Sequence, residues 1–98
     1  MQTNEIWDLI NQENVQGNHI EVARLYKKMF KKTKDISALV WCCETLRLVG
    51  DSLELHKQLD SITLKEIEQT LGPYGTFLAA EKIKTLSLNQ IMTDRDRN

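Results

Sequence analysis

Apolar residues recur every three or four positions along most of this 98-residue chain, which is the spacing of one face of an α-helix. The four glycines and the single proline fall between these periodic stretches, where they would end one helix and precede the next. No segment alternates apolar and polar residues over the length of a β-strand. The pattern therefore predicts an all-α fold with six helices.

Capping residues set the predicted ends of the first two helices. The first is expected to run from about Glu5 to Gln16, with Asn4 as its N-cap and Gly17 as a left-handed C-terminal cap. Asn18 would then cap the second helix. The predicted inward faces consist of Ile6, Leu9, Ile10 and Glu13 in the first helix, and of Val22, Ala23, Tyr26, Met29 and Phe30 in the second.

The third predicted helix is apolar on almost every side. It is expected to begin after Asp35 and to end at Gly50. Its inward stripe consists of Leu39, Cys42, Cys43, Leu46 and Val49. Val40, Trp41 and Leu48 lie off that stripe, so the helix has to be covered on two sides, either by the rest of the chain or by a partner.

Two shorter helices are predicted next. Ser52 opens the fourth, with Leu55 and Leu59 facing inward. Thr63 and Glu66 have the spacing of a capping box, which starts a fifth helix. That helix is expected to end at the Gly72-Pro73 break.

A sixth helix and a tail complete the predicted chain. The helix is expected from Tyr74 onward, with its apolar stripe at Phe77, Ala80, Ile83 and either Leu86 or Leu88. Residues 93–98 offer nothing to bury. We therefore expect one helical domain over residues 1–92, followed by a disordered tail.

An internal repeat relates the first two helices to the next two. Gly17 and Gly50 each lie between two amphipathic helices and are 33 residues apart, close to the period of about 34 residues in tetratricopeptide repeats. The same spacing relates Ile6 to Leu39, Leu9 to Cys42, Val22 to Leu55 and Tyr26 to Leu59. We therefore predict stacked antiparallel helical hairpins, a degenerate tetratricopeptide-like arrangement with a C-terminal capping helix. A generic helical bundle is the alternative.

The repeat interpretation also predicts a binding surface. The first helix of each hairpin lines the concave side of such a stack, and concave grooves accept amphipathic helices or peptides. The predicted partner-binding residues are Val40, Trp41, Glu44 and Leu48, with Trp7 as an outlying candidate. The alternative is a structural homo-oligomer, in which Trp41 and Leu48 pack against a second copy of the chain.

The sequence offers little for catalysis or metal binding. His19 and His56 are 37 residues apart, and neither belongs to a metal-ligand motif. Cys42 and Cys43 are adjacent in the most apolar helix, so we expect buried, reduced thiols rather than a disulfide or a nucleophile. There is no glycine-rich phosphate loop. We therefore expect a protein that is not an enzyme and that uses no cofactor or metal.

Charge and hydropathy narrow the range of partners. The 13 basic and 14 acidic residues give a net charge of −1, which provides no general attraction for nucleic acid. A nucleic-acid-associated regulator that uses the Lys27–Lys34 cluster is a further alternative, although these lysines also suit the negative end of a helix dipole. No signal peptide or membrane span is recognisable, so a cytoplasmic location is expected.

Two blocks of the middle half of the chain share residues with a known family. The first block contains Gly17-Asn18-His19 with Glu21 and Ala23, and the second contains Trp41, Cys43-Glu44, Leu46-Arg47-Leu48, Gly50 and Leu53-Glu54. These blocks resemble the small tetratricopeptide-type chaperones of bacterial type III secretion needle subunits. The resemblance implies a cytosolic chaperone whose concave face grips the amphipathic C-terminal helix of a needle subunit, often together with a second small co-chaperone.

Overall fold

Helices make up most of the part of the chain that the structure describes. A computed structural model describes the backbone of residues 2–96 and the side chains of residues 2–87. The described residues form α1 (Thr3–Val15), α2 (His19–Thr33), α3 (Ile36–Val49), α4 (Ser52–Leu59), α5 (Leu64–Leu71) and α6 (Thr76–Asp96), with a 3₁₀ turn at Gly72–Gly75. They contain no β-strand, so the all-α prediction is confirmed.

Glycines in the left-handed conformation follow α1 and α3. Gly17 has φ +78° and Gly50 has φ +80°, a region that residues with a Cβ adopt only at a cost. After α3, the N–H of Asp51 donates to the carbonyl of Leu46 at 3.1 Å, which satisfies one carbonyl of the last turn. These turns let the chain reverse direction between consecutive helices.

Two of the four predicted N-terminal caps form, and two do not. Asp35 caps α3 by accepting from the N–H of Ser37 at 3.1 Å, and the capping box of α5 is present. Asn4 is not a cap, because α1 already begins at Thr3. Asn18 occupies the N-cap position of α2, but its side chain makes no capping hydrogen bond; its amide nitrogen donates to Glu13 at 2.6 Å.

One hydrophobic core draws side chains from all six helices. Helix α3 lies at its centre and contacts α2, α4, α5 and α6. The predicted inward faces of the first four helices are confirmed: most of their residues are buried, while Leu9 and Phe30 pack against the core at half-burial, and Glu13 and Val49 are also half-buried. The stacking of hairpins and the tetratricopeptide-like arrangement stay predictions.

The C-terminal helix turns a different face inward from the one predicted. The predicted stripe is exposed at Phe77, Ala80, Ile83 and Leu86, whereas Leu88 lies outside the residues with described side chains. The inward face consists of Leu78, Lys82 and Thr85, which the helical repeat places on one side of α6. The predicted inward face of α6 is therefore wrong.

Hydrogen bonds to α4 explain this orientation of α6. The ammonium group of Lys82 donates to the carbonyl of Leu59, the last residue of α4, at 2.7 Å. The hydroxyl of Thr85 contacts Nδ1 of His56, and Nε2 of the same ring lies 3.3 Å from Glu81. Polar contacts, together with the buried Leu78, therefore attach α6 to the rest of the fold.

Helix α6 continues beyond residue 92, through Asp96. The domain bound at residue 92 and the disordered tail stay predictions. No glycine or proline occurs between Thr76 and Asp96, so the sequence holds no strong helix breaker in this stretch. The last two residues of the predicted tail, Arg97 and Asn98, lie outside the described residues.

Candidate functional site

A groove of about 720 Å³ opens between α3 and the start of α6. Residues of α3, α5, the 3₁₀ turn and the first turn of α6 form its walls: Trp41, Glu44, Arg47, Leu48, Leu71, Tyr74 and Phe77 are among them. Three of the five residues predicted to bind a partner, namely Trp41, Glu44 and Leu48, therefore line one concave surface.

Large apolar side chains face this groove from both walls. Trp41 and Leu48 are seven residues apart and so lie on one side of α3, where they are 41% and 65% exposed. Phe77 on the opposite wall is 68% exposed. Large exposed apolar side chains that lie together often mark a binding surface.

The structure places Val40 in the core. Its side chain is 0% exposed and belongs to the central hydrophobic cluster. One residue corresponds to about 100° of rotation around a helix, which turns Val40 away from the surface that its neighbour Trp41 presents. Val40 is therefore part of the packing of α3 rather than of the groove wall, contrary to the prediction.

Trp7 lies outside the groove but is connected to it by aromatic contacts. The ring of Trp7 meets the ring of Tyr26 edge to face at a centroid distance of 6.0 Å. Tyr26 in turn stacks on Trp41, with centroids 6.3 Å apart. A row of three rings therefore runs from α1 across α2 to the groove.

The charged part of the groove is an ion pair between Glu44 and Arg47, which lie one helical turn apart on α3. Arg47 directs both Nε and Nη2 at the same carboxylate oxygen of Glu44, Oε1. The side chain of Glu44 is only 10% exposed, and its Oε2 has no hydrogen-bond partner among the described residues. The guanidinium group of Arg47 also lies over the ring of Phe77, 5.2 Å from its centroid. A buried and only partly satisfied carboxylate thus lies beside apolar walls.

Sequence reasoning about the binding surface missed Arg47 and the whole opposite wall. Arg47 could have been found, because it lies three residues after Glu44 and so within reach of it on the same helix. Tyr74 and Phe77 had no comparable signal. Their position depends on how α5 and α6 pack against α3, which is a long-range property of the fold.

The two cysteines lie in α3 but do not line the groove. Burial raises the pKa of the Cys42 thiol to about 11 and that of the Cys43 thiol to about 12. The cause is that burial disfavours the charged thiolate more than the neutral thiol. Both groups therefore stay protonated near neutral pH, where a thiol is a weak nucleophile.

The lysine cluster is located near the end of α2, away from the groove. Lys27 lies 3.6 Å from the carboxylate of Glu54 on α4, whereas Lys28, Lys31, Lys32 and Lys34 are exposed.

Among the residues with described side chains, no group of three or more His, Cys, Asp or Glu could hold a metal ion. None of the helices in the described part of the chain is long and apolar enough to cross a bilayer.

Comparisons with known proteins add no further guide to the groove. No protein-family model, curated protein or solved structure matches this chain significantly. The interpretation of the groove therefore depends on the geometry and chemistry of its own residues.

Proposed function

We propose that this protein is a non-enzymatic binding module whose groove holds an amphipathic helix of a small partner protein, as a chaperone or adaptor does. The observation that carries the proposal is the convergence of Trp41, Leu48 and Phe77 on one opening between α3 and α6. An amphipathic helix lays its apolar face into grooves of this kind. Burial of two aromatic rings and a leucine would supply the central apolar contacts of the complex.

The family resemblance supports a particular class of partner. It is carried largely by residues of α3 and the following turn, and Trp41, Glu44, Arg47 and Leu48 of that block line the groove. In this form of the proposal, the occupant is the amphipathic C-terminal helix of a type III secretion needle subunit. A small co-chaperone would bind beside it, and the complex would form in the cytoplasm.

Self-association is the second candidate, and the exposed face of α6 favours it. Ile83 and Leu86 extend the apolar surface of Phe77 along this helix. A second copy of the chain could cover that surface and would leave no need for a foreign ligand. Sedimentation equilibrium between 1 and 100 µM separates the candidates, because a binding module stays monomeric whereas a homo-oligomer shows a dimer or higher mass.

A paired substitution tests the proposed groove. Trp41→Ala is expected to weaken the binding of a synthetic amphipathic helical peptide by more than about tenfold, since a central tryptophan often dominates an interface. Leu46→Ala, which truncates a buried side chain of the same helix, is expected to lower the free energy of unfolding by about 2 to 5 kcal/mol. Trp41→Ala should lower it by less, because Trp41 is partly exposed.

Isothermal titration calorimetry measures the affinity, and urea denaturation measures the stability. A peptide of the same composition with a scrambled apolar pattern is the control. Unchanged peptide affinity in Trp41→Ala, or equal unfolding midpoints for the two variants, would contradict the assignment of the groove.

A further inference from the structure

The outward side of α2 is a charged surface that lies outside the groove. Residues 24–34 contain six of the 13 basic residues of the chain and none of its 14 acidic ones. The other seven basic residues and the 14 acidic ones leave the rest of the chain with a net charge of −7. Positive charge is therefore concentrated on one short segment of an otherwise acidic protein. Five of these cations lie on α2 and form what we call the basic face: Arg24, Lys27, Lys28, Lys31 and Lys32.

The helical repeat places the basic face opposite the side of α2 that packs into the core. At about 100° per residue, the five cations occupy an arc of about 140° around the helix. Leu25, Tyr26 and Met29 are buried on the other side. Every outward position from Arg24 to Lys32 therefore carries a positive charge, and no large apolar side chain is exposed between them.

Carboxylates of the same chain neutralise only part of the basic face. Arg24 lies 3.5 Å from Glu21, and Lys27 lies 3.6 Å from Glu54. The other three cations form no ion pair with any residue whose side chain the structure describes: Lys28, Lys31 and Lys32. Their charges are free to interact with a partner.

The stability of α2 does not account for the whole basic face. Cations are favoured at the C-terminus of a helix, but this effect falls off within the last turn. Only Lys31 and Lys32 lie in the last turn of α2. Arg24 and Lys28 lie farther from the end and are four residues apart, a spacing at which like charges repel and destabilise a helix. An anionic partner would reduce this repulsion.

The size of the basic face distinguishes between kinds of anionic partner. From Arg24 to Lys32 the axis of α2 rises about 12 Å, little more than two helical turns. A nucleic acid or an anionic bilayer extends well beyond this length and would meet the net negative charge of the rest of the chain. The face also offers no aromatic ring on which a base could stack, because Tyr26 is buried and Phe30 packs against the core. It offers no exposed apolar side chain that could enter a bilayer.

We propose that the basic face of α2 is a second interaction surface and that it binds a short acidic helix of a partner protein. Glutamate or aspartate residues at intervals of three and four positions form a stripe along one side of a helix, which is also how the cations are arranged on α2. Lys28 and Lys31 lie at the centre of the face and would contact the middle of that stripe. The proposal does not depend on the function proposed for the groove, because no residue of the basic face lines the groove.

Three helical peptides of equal length test the proposal on the unmodified protein. The striped peptide carries glutamates along one side, the distributed peptide carries the same number around its whole circumference, and the neutral peptide has glutamine in their place. Fluorescence anisotropy measures the affinities in low salt. The striped peptide should bind at least about tenfold more tightly than the neutral peptide, because several exposed ion pairs add their small contributions. It should also bind more tightly than the distributed peptide, and salt at about 0.5 M should weaken its binding.

A matched pair of double variants assigns the binding to α2. Lys28→Gln/Lys31→Gln removes two cations from the basic face, whereas Lys65→Gln/Lys84→Gln removes two exposed cations from α5 and α6. The two variants have the same net charge. The first should weaken the binding of the striped peptide at least about fivefold, and the second by less than about twofold. Equal losses would overturn the proposal, because binding would then follow net charge rather than the basic face.

Other ligands complete the test. Equal affinities of the striped and distributed peptides, or no measurable binding of the striped peptide, would overturn the proposal. So would tighter binding of an oligonucleotide of the same charge, or of vesicles that contain phosphatidylglycerol, because the face would then recognise an extended polyanion. None of these outcomes bears on the groove, which Trp41→Ala tests separately.

Discussion

Helices α3 and α6 both carry more apolar residues than one neighbouring helix can cover, but the fold treats them in opposite ways. Helix α3 contacts four other helices, and side chains on most of its circumference are buried. Helix α6 buries a leucine, a lysine and a threonine, while Phe77 and Ile83 face outward. In α6, buried polar contacts rather than the apolar stripe therefore determine which face of the helix packs against the core.

The polar contact that orients α6 is made at the C-terminus of α4. The last carbonyl groups of a helix have no donor within the helix, and a cation is favoured at that end. The carbonyl of Leu59 accepts from Ile62 N–H at 3.2 Å and from the ammonium group of Lys82 at 2.7 Å. This contact directs the side of α6 that bears Lys82 inward, and the aromatic side chain of Phe77 is left at the groove.

The contrast is sharpest between two adjacent residues of α6. Leu78→Ala should lower the free energy of unfolding by about 2 to 5 kcal/mol, because the side chain is fully buried and its loss leaves a cavity. Phe77→Ala should lower it by less than about 1 kcal/mol despite the larger truncation, because most of the ring is exposed. Urea denaturation followed by circular dichroism measures both values, and a larger loss in Phe77→Ala would show that the two faces are reversed.

The buried lysine is expected to have the next largest effect. Lys82→Met retains most of the apolar stem but removes the donor to Leu59, so it should lower the free energy of unfolding by about 1.5 to 3 kcal/mol. Lys84→Met is the matched control on the exposed side of the same helix and should change it by less than about 0.5 kcal/mol. Chemical denaturation of both variants at one pH compares them directly, and equal stabilities would mean that Lys82 does not orient α6.

Alkaline pH tests whether α3 is covered. Burial raises the pKa of Cys42 from 9.0 to about 11, and that of Cys43 to about 12. Below pH 9 both thiols are protonated in the folded and unfolded chains, so they add no pH dependence. Above pH 9 the unfolded chain releases these protons while the folded chain keeps them. The free energy of unfolding should then fall, by on the order of 1 kcal/mol per pH unit for each thiol.

Denaturation at pH 8, 9 and 10 measures this loss. The double variant Cys42→Ala/Cys43→Ala is the control, because it retains every other titrating group and should lose stability less steeply with pH. Parallel slopes for the two proteins would mean that the thiols ionise as readily in the folded chain as in the unfolded one, and that α3 is open on that side.

The smallest effect on stability is expected at the outward face of α6. Ile83→Ser should change the free energy of unfolding by no more than about 0.5 kcal/mol, because the side chain is more than half exposed. It should also reduce the fluorescence of a bound apolar dye, since it removes part of an exposed apolar surface. Lys84→Ser is the control for dye binding. A loss above about 1 kcal/mol in Ile83→Ser would show that this face is covered.

The features that could be predicted from the sequence are those whose causes are local. The capping box of α5 joins residues only three positions apart, and the Asp35 cap joins residues two apart. Both were predictable from short motifs. The orientation of α6 depends on a hydrogen bond between Lys82 and Leu59, which are 23 positions apart. The apolar periodicity of α6 alone does not indicate that Leu59 would be the acceptor.

The residues of the candidate site also divide into those that could be predicted from local sequence and those that could not. Trp41 and Leu48 were recognisable because they lie off the inward stripe of α3 at a spacing that keeps them on one face. Val40 also lies off that stripe, but it is buried because α3 is covered by more helices than a hairpin stack requires. The second wall was not predictable, because Phe77 reaches the groove through the orientation of α6.

The 3₁₀ turn before α6 packs tightly against α5. A Cβ on Gly75 would lie 3.0 Å from Cγ2 of Ile67 and 3.1 Å from Cβ of Leu71, so the turn presses against α5 without space for a side chain. Helix α6 extends 21 residues from this point, about 31 Å at 1.5 Å per residue. Farther along the helix, Lys82 and Thr85 attach α6 to α4. Phe77, in the first turn, therefore lies on a stretch of α6 that is held on both sides, which keeps this wall of the groove in place.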